Sequence, residues 1–302
     1  MQEHEHGTGT EMTGKKFFTV TILNLVITAV EIIGGVLSGS LALLSDAFHN
    51  LGDSLAIVLG YIAFKISLRG QNVKQTYGYK RAQILAAFIN AIFLVGLSIF
   101  LIIEAIERFW HPSPLNADLM LIVAVVGLIA NVASALLLKG GSEHNLNQRA
   151  TFLHILSDAL SSVGVIVAGV LIALFNWVWL DPLVTLLVMA YILKEVWPVV
   201  KQTVKILMQA TPDLDFCAIQ ADIDVIPGVM GSHHYHAWQV DEEAVMFSLH
   251  VNLQDMLLSD AEVIYDEINR LLMEKYDIKH VTIQAEVHRG EQEGMIDEEE
   301  QI

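Results

Sequence analysis

Residues 41–66 have the sequence LALLSDAFHNLGDSLAIVLGYIAFKI, an apolar stretch that is long enough to cross a bilayer as a helix. This stretch nevertheless contains His49 and Asp53, which are spaced four residues apart. The same H-x-x-x-D pair recurs at His154 and Asp158 in a second apolar stretch. An aspartate at the centre of a membrane helix costs about 2.5–3.5 kcal/mol, so a chain that places this pair in two such segments is expected to use it.

The spacing within each pair predicts a metal site. Residues four apart lie on one face of a helix, so each pair presents an imidazole and a carboxylate side by side. Two such helices brought together supply two imidazoles and two carboxylates, which suit tetrahedral coordination of a zinc-like divalent ion. A single pair would favour a hydrogen bond between helices instead, but two matching pairs favour a metal. The predicted ligands are His49, Asp53, His154 and Asp158.

The composition indicates a membrane protein. The chain of 302 residues is 54% hydrophobic and has a mean hydropathy of +0.51. Six apolar stretches have the length of transmembrane helices, at roughly residues 17–37, 41–66, 82–106, 117–138, 151–175 and 179–200. The alternation typical of membrane barrel strands is absent. We therefore expect a multi-pass α-helical membrane protein with six transmembrane helices in a lipid bilayer.

Charge divides the chain into two unlike parts. Residues 206–302 contain 21 acidic and 4 basic residues, whereas residues 1–205 have equal numbers of each. The acidic part excludes nucleic acid as a partner and attracts cations. In the apolar part, Lys and Arg fall almost entirely on one side of the predicted membrane, which predicts that both termini are cytoplasmic.

The acidic part has the pattern of a small soluble domain. The predicted order is helix, strand, strand, helix, strand, at residues 213–225, 232–240, 245–253, 259–276 and 280–287. Ser259 and Glu262 have the spacing of a capping box at the start of the second helix. This order predicts a two-layer α+β domain. The predicted division of the chain is a disordered tail at 1–14, a membrane domain at 15–205, a cytoplasmic domain at 206–288 and a disordered acidic tail at 289–302.

Asp46 and the histidines of the first predicted strand lie close to candidate metal ligands in sequence. Asp46, three residues before His49, is expected either to orient the metal site or to gate it on the cytoplasmic side. On the first predicted strand, regular alternation would place His233 and Tyr235 on one face and His234 on the other.

Four runs of sequence resemble the cation diffusion facilitator family. They are SDAFHNLGD at 45–53, TYGYKRA at 76–82, NQRATFLHILSD at 147–158 and TIQ at 282–284. The resemblance extends from about Lys15 to Glu286 and is greatest to bacterial zinc-exporting members. Its most specific element is the repeated H-x-x-x-D motif.

The resemblance implies a homodimeric zinc/proton antiporter with a cytoplasmic ferredoxin-like domain, located in a bacterial inner (plasma) membrane. By motif, the four predicted ligands correspond to the family's transport site. Members with Asp in place of the first histidine accept cadmium more readily, so His49 implies a preference for zinc. His233, His250 and Glu286 match the positions at which the family's soluble domain binds regulatory zinc.

The expected function is export of zinc, or of a related divalent cation such as cadmium, from the cytoplasm in exchange for protons. Zinc ligands must be deprotonated, so metal and protons compete for the same atoms. The alternatives are a membrane metalloenzyme and a metal sensor without transport. An enzyme is disfavoured because no H-E-x-x-H motif is present and four protein ligands leave no position for a reactive water. A sensor does not need six spans, and a channel would need several weak sites.

Overall fold

A computed structural model of the chain describes residues 7–139, 146–290 and 293–296, with side chains described for residues 21–136, 156, 158–290 and 293–296. The chain divides into two compact units, Met1–Tyr61 with Ile89–Val200 and Ile62–Phe88 with Lys201–Ile302.

Six long apolar helices make up most of the first 207 residues, as far as the structure describes them. They are α1 (Gly7–Ser38), α2 (Leu41–Ser67), α3 (Arg81–Trp110), α4 (Ala117–Lys139), α5 (Leu146–Phe175) and α6 (Leu180–Leu207). Each contains a segment that is long and apolar enough to cross a membrane. The predicted fold class of six transmembrane helices is therefore confirmed.

Helix α1 differs from its prediction at the N-terminal end. It begins at Gly7, inside the segment 1–14 that was expected to be a disordered tail. Once a helix has formed, each added residue gains one backbone hydrogen bond, so α1 extends into polar sequence beyond its apolar part. Residues 1–6 lie outside the described residues.

Glycines allow α1, α4 and α5 to approach one another closely. A Cβ on Gly34 of α1 would lie 2.6 Å from the side chain of Val123 on α4. A Cβ on Gly169 of α5 would lie 2.8 Å from the side chain of Leu121, also on α4. Small residues often mark helix contacts in membranes, where association depends on close packing rather than on hydrophobic burial.

Asp181, in the first turn of α6, binds the N-terminal end of α2. Its carboxylate accepts a hydrogen bond from Ser40 Oγ at 2.5 Å and from the amides of Leu41 and Ala42 at 2.8 and 3.1 Å. The first amides of a helix have no partner within the helix, and the helix dipole favours a negative charge beside them. This contact fixes one end of the helix that carries the first H-x-x-x-D motif.

The C-terminal part of the chain forms a three-stranded sheet and two helices. These elements are α7 (Phe216–Asp224), β1 (Val229–Gln239), β2 (Val245–Leu253), α8 (Leu258–Tyr276) and β3 (Ile278–Glu286). The strand order is β1-β2-β3, with β1 antiparallel and β3 parallel to β2. The predicted α+β architecture is therefore confirmed.

Both helices pack on one face of this sheet. Phe247, Leu249 and Val251 are buried at alternate positions of β2, and they belong to one core cluster with Ile219 of α7 and Ile268 of α8. Strand alternation leaves the even-numbered residues of β2 on the opposite face. That opposite face carries one of the two candidate metal sites.

The predicted capping box of α8 is wrong. The helix begins at Leu258, and its N-cap is Leu257, which has extended backbone angles and makes no side-chain capping bond. Because the N-cap lies two residues earlier than predicted, Ser259 lies inside the first turn, where its hydroxyl does not occupy the capping position. Helix α7, in contrast, is capped by Asp215, whose side chain accepts a hydrogen bond from the amide of Ala218 at 3.0 Å.

The segment predicted as an acidic tail at 289–302 is partly ordered against the sheet. The carbonyl groups of Gly294 and Met295 accept hydrogen bonds from the amides of His234 and Tyr235. Met295 also packs against the core. Backbone amides of a strand need acceptors, and this segment supplies them for His234 and Tyr235. Residues 291–292 and 297–302 lie outside the described residues.

A salt bridge joins the loop before α3 to the turn between β1 and β2. Lys80 Nζ lies 3.1 Å from Asp241 Oδ2. Burial would raise the pKa of Asp241, but amide hydrogen bonds from Ala244 and Glu243 and the charge of Lys80 outweigh it, so the pKa lies below its usual value. The carboxylate therefore stays charged at neutral pH, and the salt bridge is lost only as the pH falls through this lowered pKa.

Phe247→Ala is expected to destabilise the C-terminal domain by about 3–5 kcal/mol, because it removes a fully buried aromatic ring and leaves a cavity. Hydrogen exchange of the β2 amides in the purified full-length protein measures the effect. Val263→Ala is the control, since Val263 is 70% exposed and its loss should change stability by less than about 0.5 kcal/mol. Equal exchange rates in the two variants would contradict the assignment of this core.

Candidate metal sites

His49 and Asp53 of α2 converge with Asp158 of α5. His49 Nε2 lies 3.7 Å from Asp53 Oδ2 and 3.6 Å from Asp158 Oδ1. The candidate ligand atoms of all three residues lie within 4.8 Å of one another. Donors bonded to zinc at about 2.0–2.1 Å in a tetrahedron lie about 3.3–3.4 Å apart, so small movements would let these three bind one ion. The side chain of Asp158 is only 6% exposed.

The fourth predicted ligand, His154, belongs to α5 and precedes Asp158 by about one helical turn. Its side chain lies outside the described residues. The structure thus brings three of the four predicted residues together. The spacing on α5 places His154 on the same face as Asp158, and its participation stays a prediction.

Asp46 links α2 to α5 beside this cluster. Its two carboxylate oxygens accept hydrogen bonds from Ser161 Oγ at 2.8 Å and Ser162 Oγ at 2.9 Å, and Asp46 is 1% exposed. The same hydroxyl proton of Ser162 is shared with the backbone carbonyl of Asp158, which lies 3.1 Å from Ser162 Oγ. This network fixes the register of the two helices and so places Asp158 opposite His49. Of the two roles expected for Asp46, the geometry favours the orienting one.

Polar groups of α1 also hold α2 in place. Glu31 is buried, and its Oε2 accepts a hydrogen bond from Asn50 Nδ2 of α2 at 3.1 Å. Asn24 Nδ2 donates to Ser54 Oγ, again on α2, at 3.3 Å. Asn50 directly follows the first histidine of the site in sequence, so the Glu31 contact acts close to the candidate ligands. The carboxyl group of Glu31 also faces Gly127 of α4, where a Cβ would lie 2.2 Å from Oε1.

The second predicted ligand set lies on the sheet face opposite the helices. His233 of β1 pairs with His250 of β2, and Glu286 of β3 lies beside Asn252, two residues along from His250. His233 Nε2 lies 3.4 Å from Glu286 Oε2, and His250 Nδ1 lies 3.4 Å from Glu286 Oε1. Both distances match the separation of about 3.3–3.4 Å between ligands of a tetrahedral zinc ion. The structure brings all three predicted residues together.

Several properties of this cluster fit a bound zinc ion. His233 Nε2 and Glu286 Oε2 are buried, and neither makes a hydrogen bond to any described residue. Buried polar atoms in this state are costly, whereas a cation between them would satisfy both. Gly290 leaves room for an ion, because a Cβ there would lie 2.2 Å from His233 Nε2. Burial and the neighbouring His234 lower the pKa of His250, which favours the neutral imidazole that binds metal.

A β-bulge in β1 determines which residues share this face. The pairing register shifts between His233 and His236, and His234 has a φ of 54°. Tyr235 is therefore buried in the core, while His233 lies on the opposite face with His250. The prediction that His233 and Tyr235 share a face is wrong, because the bulge inserts one residue and reverses the alternation.

The sequence pattern did not identify several residues that support the membrane cluster of His49, Asp53 and Asp158. Asn50, Ser161 and Ser162 are polar residues in apolar helices, and Asp181 is an acidic residue at the start of one. Their polarity alone could have marked them, because a polar group in a membrane helix needs a partner on a neighbouring helix. The partner of each residue depends on how the helices pack, and the sequence pattern does not predict that packing.

Family models match almost the whole chain. A model described as the cation efflux transmembrane domain matches residues 17–208. A second model, described as the cytoplasmic domain of cation efflux proteins, matches residues 211–288. The two matches follow one another with almost no gap and include every predicted ligand of both candidate sites.

Similar curated proteins carry names of metal transporters. The zinc transporter ZitB of Escherichia coli is 43% identical over 260 residues, which is 85% of this chain and 82% of that protein. A cadmium, cobalt and zinc/H(+)-K(+) antiporter of Bacillus velezensis is 38% identical over 94% of this chain and 91% of its own length. The metal cation efflux system protein CzcD of Cupriavidus metallidurans is 34% identical over 96% of this chain and 90% of its own length.

Replacing both Ser161 and Ser162 by Ala is expected to weaken zinc binding at the membrane cluster by about tenfold, because Asp46 loses both donors and Asp158 loses its fixed position. Competition with a zinc-binding dye measures the affinity, in a His250→Ala background that removes a shared candidate ligand from the C-terminal sheet. Ser45→Ala is the matched control, since its buried hydroxyl donates to Leu41 within the same helix. An unchanged affinity in the double variant would exclude the orienting role of Asp46.

Proposed function

Because the chain belongs to the cation efflux family of membrane transporters, we propose that it exports zinc from the cytoplasm in exchange for protons. It is an integral membrane transporter of metal cations and not an enzyme. The convergence of His49, Asp53 and Asp158 in the membrane helices is the observation that carries the zinc proposal. We include His154 as the fourth ligand from its spacing to Asp158.

The ligand set supports zinc as the transported substrate. Imidazole nitrogen and carboxylate oxygen together suit a four-coordinate zinc ion, and all ligands can come from only two helices. Four protein ligands leave no coordination position for a reactive water. A closed shell of this kind suits a site that carries the ion and does not catalyse a reaction. His49 in place of a carboxylate makes the shell less anionic and favours zinc over the larger cadmium ion, although ligand type alone separates divalent metals only partly.

The same ligands support exchange with protons. Zinc binds the deprotonated carboxylates and the neutral imidazoles, so its arrival displaces protons and its release allows protons to return. If the site opens to one side of the membrane with zinc and to the other with protons, each cycle moves the two in opposite directions. Residues at the membrane midplane on paired helices are a common arrangement for such a site.

We place the sheet cluster of His233, His250 and Glu286 in the cytoplasm, as a resident zinc site that regulates transport. The C-terminal family model is named for a dimer and describes a cytoplasmic domain, which supports a homodimer that associates through residues 206–288. This arrangement puts both termini in the cytoplasm, with the membrane domain at 15–205. The bacterial transporters among its relatives support a location in a bacterial inner membrane.

Asp158→Asn tests the transport site while keeping the shape of the side chain. Zinc flux into liposomes with an internal zinc dye should fall more than about 100-fold, because losing a ligand costs more than losing an outer hydrogen-bond partner. Asp118→Asn is the matched control, since Asp118 is exposed in the first turn of α4. Flux like that of the unmodified protein in Asp158→Asn would rule out this assignment.

Proton exchange is tested in the same liposomes with a pH-sensitive dye. Zinc entry should be accompanied by proton exit, and an imposed outward proton gradient should accelerate zinc entry. The Asp158→Asn protein should show neither response. Zinc flux that neither moves protons nor responds to the gradient would show that the protein is not an antiporter of these ions.

A further inference from the structure

A cavity of about 440 Å³ lies where the loop between α2 and α3 meets the ends of α6 and β1. Its walls come from residues 74–79 of this loop, the first turns of α3, the end of α6 and the C-terminal end of β1. All of these parts belong to the second compact unit of the chain. Pockets of about 300–1,000 Å³ commonly hold small ligands, and none of the candidate metal ligands lines this one.

The cavity lies at a membrane surface. Arg81 is the first residue of α3 and Leu207 is the last residue of α6, and both helices are long and apolar enough to cross a membrane. Both residues line the cavity, so it lies at the ends of two spans on the same side. With the C-terminal domain in the cytoplasm, as proposed above, this is the cytoplasmic surface.

One wall of the cavity is apolar and aromatic. Leu85, one turn into α3, lines the cavity and is 49% exposed. An exposed leucine in a membrane span suits contact with acyl chains, which are equally apolar. Tyr77 and Trp238 also line the cavity, and such rings are enriched at the level of the lipid headgroups. The cavity thus combines a surface for an acyl chain with side chains that suit the headgroup region.

The polar wall of the cavity is positively charged. Lys74 and Arg81 line it, and no acidic residue does so in the part of the chain that the structure describes, although acids outnumber bases 21 to 4 in residues 206–302. Lys80 is paired with Asp241, but Lys74 forms no ion pair with any described residue. Arg81 Nη2 donates to the backbone carbonyl of Gln239 at 3.4 Å, a contact that leaves its charge uncompensated. The cavity therefore attracts an anion.

Hydrogen bonds within the loop hold Lys74 beside the cavity. The backbone amide of Asn72 donates to the carbonyl of Gln75 at 3.1 Å, and the amide of Gln75 donates back at 3.0 Å. Asn72 Oδ1 accepts a hydrogen bond from the amide of Lys74 at 2.9 Å, and Asn72 Nδ2 donates to Tyr79 Oη at 3.3 Å. A site whose backbone is already fixed loses less conformational freedom when a ligand binds.

We propose that this cavity binds the phosphate-bearing headgroup of an anionic phospholipid, an inference that rests on the proposed orientation in the membrane but on neither metal site. A guanidinium group can donate two parallel hydrogen bonds to a phosphate, so Arg81 suits this ligand, and Lys74 adds a second cation. Free phosphate has the same charge chemistry but makes no use of the apolar wall at Leu85. Basic pockets at the cytoplasmic ends of membrane helices are a recurrent type of headgroup site.

A lipid in this cavity connects parts of the chain that are distant in sequence. The loop before α3, the end of α6 and the end of β1 each contribute to the wall. The salt bridge between Lys80 and Asp241 already joins the loop to the turn after β1. A ligand that binds only the folded state adds to its stability, so an anionic lipid should stabilise this unit against unfolding.

The test compares dioleoyl phosphatidylglycerol with dioleoyl phosphatidylcholine, which has the same acyl chains but no net charge, on full-length protein in a neutral detergent. Native mass spectrometry measures the bound lipid. Lys74→Glu is expected to weaken phosphatidylglycerol binding by about tenfold or more, because it replaces an attracting charge by a repelling one. Arg69→Glu is the matched control, since Arg69 is an exposed residue of the same loop that does not line the cavity. Its effect should be less than about twofold.

Two results would overturn the proposal. One is an equal loss of phosphatidylglycerol binding in Lys74→Glu and Arg69→Glu, which would show general attraction to basic residues. The other is equal affinity of the unmodified protein for the two lipids. Because the Lys74 side chain is exposed, its replacement is not expected to prevent folding.

Competition and thermal unfolding separate a lipid from free phosphate. Inorganic phosphate at the concentration of the lipid should not displace phosphatidylglycerol, and displacement would overturn the lipid as the ligand. Phosphatidylglycerol should raise the unfolding temperature of the unmodified and Arg69→Glu proteins by about 2 °C or more relative to phosphatidylcholine. This rise should be lost in Lys74→Glu, and its absence from the unmodified protein would contradict the site. Neither measurement involves zinc, so both are independent of the transport proposal.

Discussion

Lipid gives no compensating hydrogen bonds to a polar side chain, and three buried carboxyl groups among the described parts of the six helices accept hydrogen bonds from a neighbouring helix. Asp46 of α2 binds hydroxyl groups of α5, and Asp181 of α6 binds the N-terminal end of α2. Glu31 of α1 binds Asn50, also on α2. These contacts involve α2 in every case. The helix that carries His49 and Asp53 is thus held in position by three neighbouring helices, α1, α5 and α6.

The C-terminal sheet also holds its candidate ligands in fixed positions, but it does so through strand pairing. Its strands provide a rigid frame on which His233 and His250 are direct cross-strand partners, and Glu286 reaches them from the third strand. One face of the sheet is covered by α7 and α8 and carries the apolar core. The other face is free to hold charge. Apolar packing and the candidate metal ligands thus occupy opposite faces of the sheet. This separation explains how a small domain can bury ligand atoms that make no hydrogen bond to any described residue and still keep an apolar core.

Much of this arrangement follows from local sequence patterns. The six helices follow from the length of the apolar stretches, and the H-x-x-x-D spacing places each pair on one helix face. β2 was predicted with its observed limits because it alternates regularly. The features that were not predicted depend on contacts distant in sequence. Asp181 caps a helix about 140 residues away, and the carbonyl groups of Gly294 and Met295 bind amides of β1 about 60 residues earlier in the chain.

The bulge at His234 separates the two halves of β1 by one residue, and this has a consequence for how the chain tolerates change in length. Deletion of His234 would restore regular alternation and leave both halves of the strand on their present faces, because the bulge only adds one residue opposite Leu249. Tyr235 would still face the core, and His233 would still face His250. The deletion would instead remove the amide that donates to Gly294, and with it part of the backbone attachment of residues 293–296 to the sheet. An alignment with relatives that places a gap there therefore implies loss of that attachment and not a different strand register.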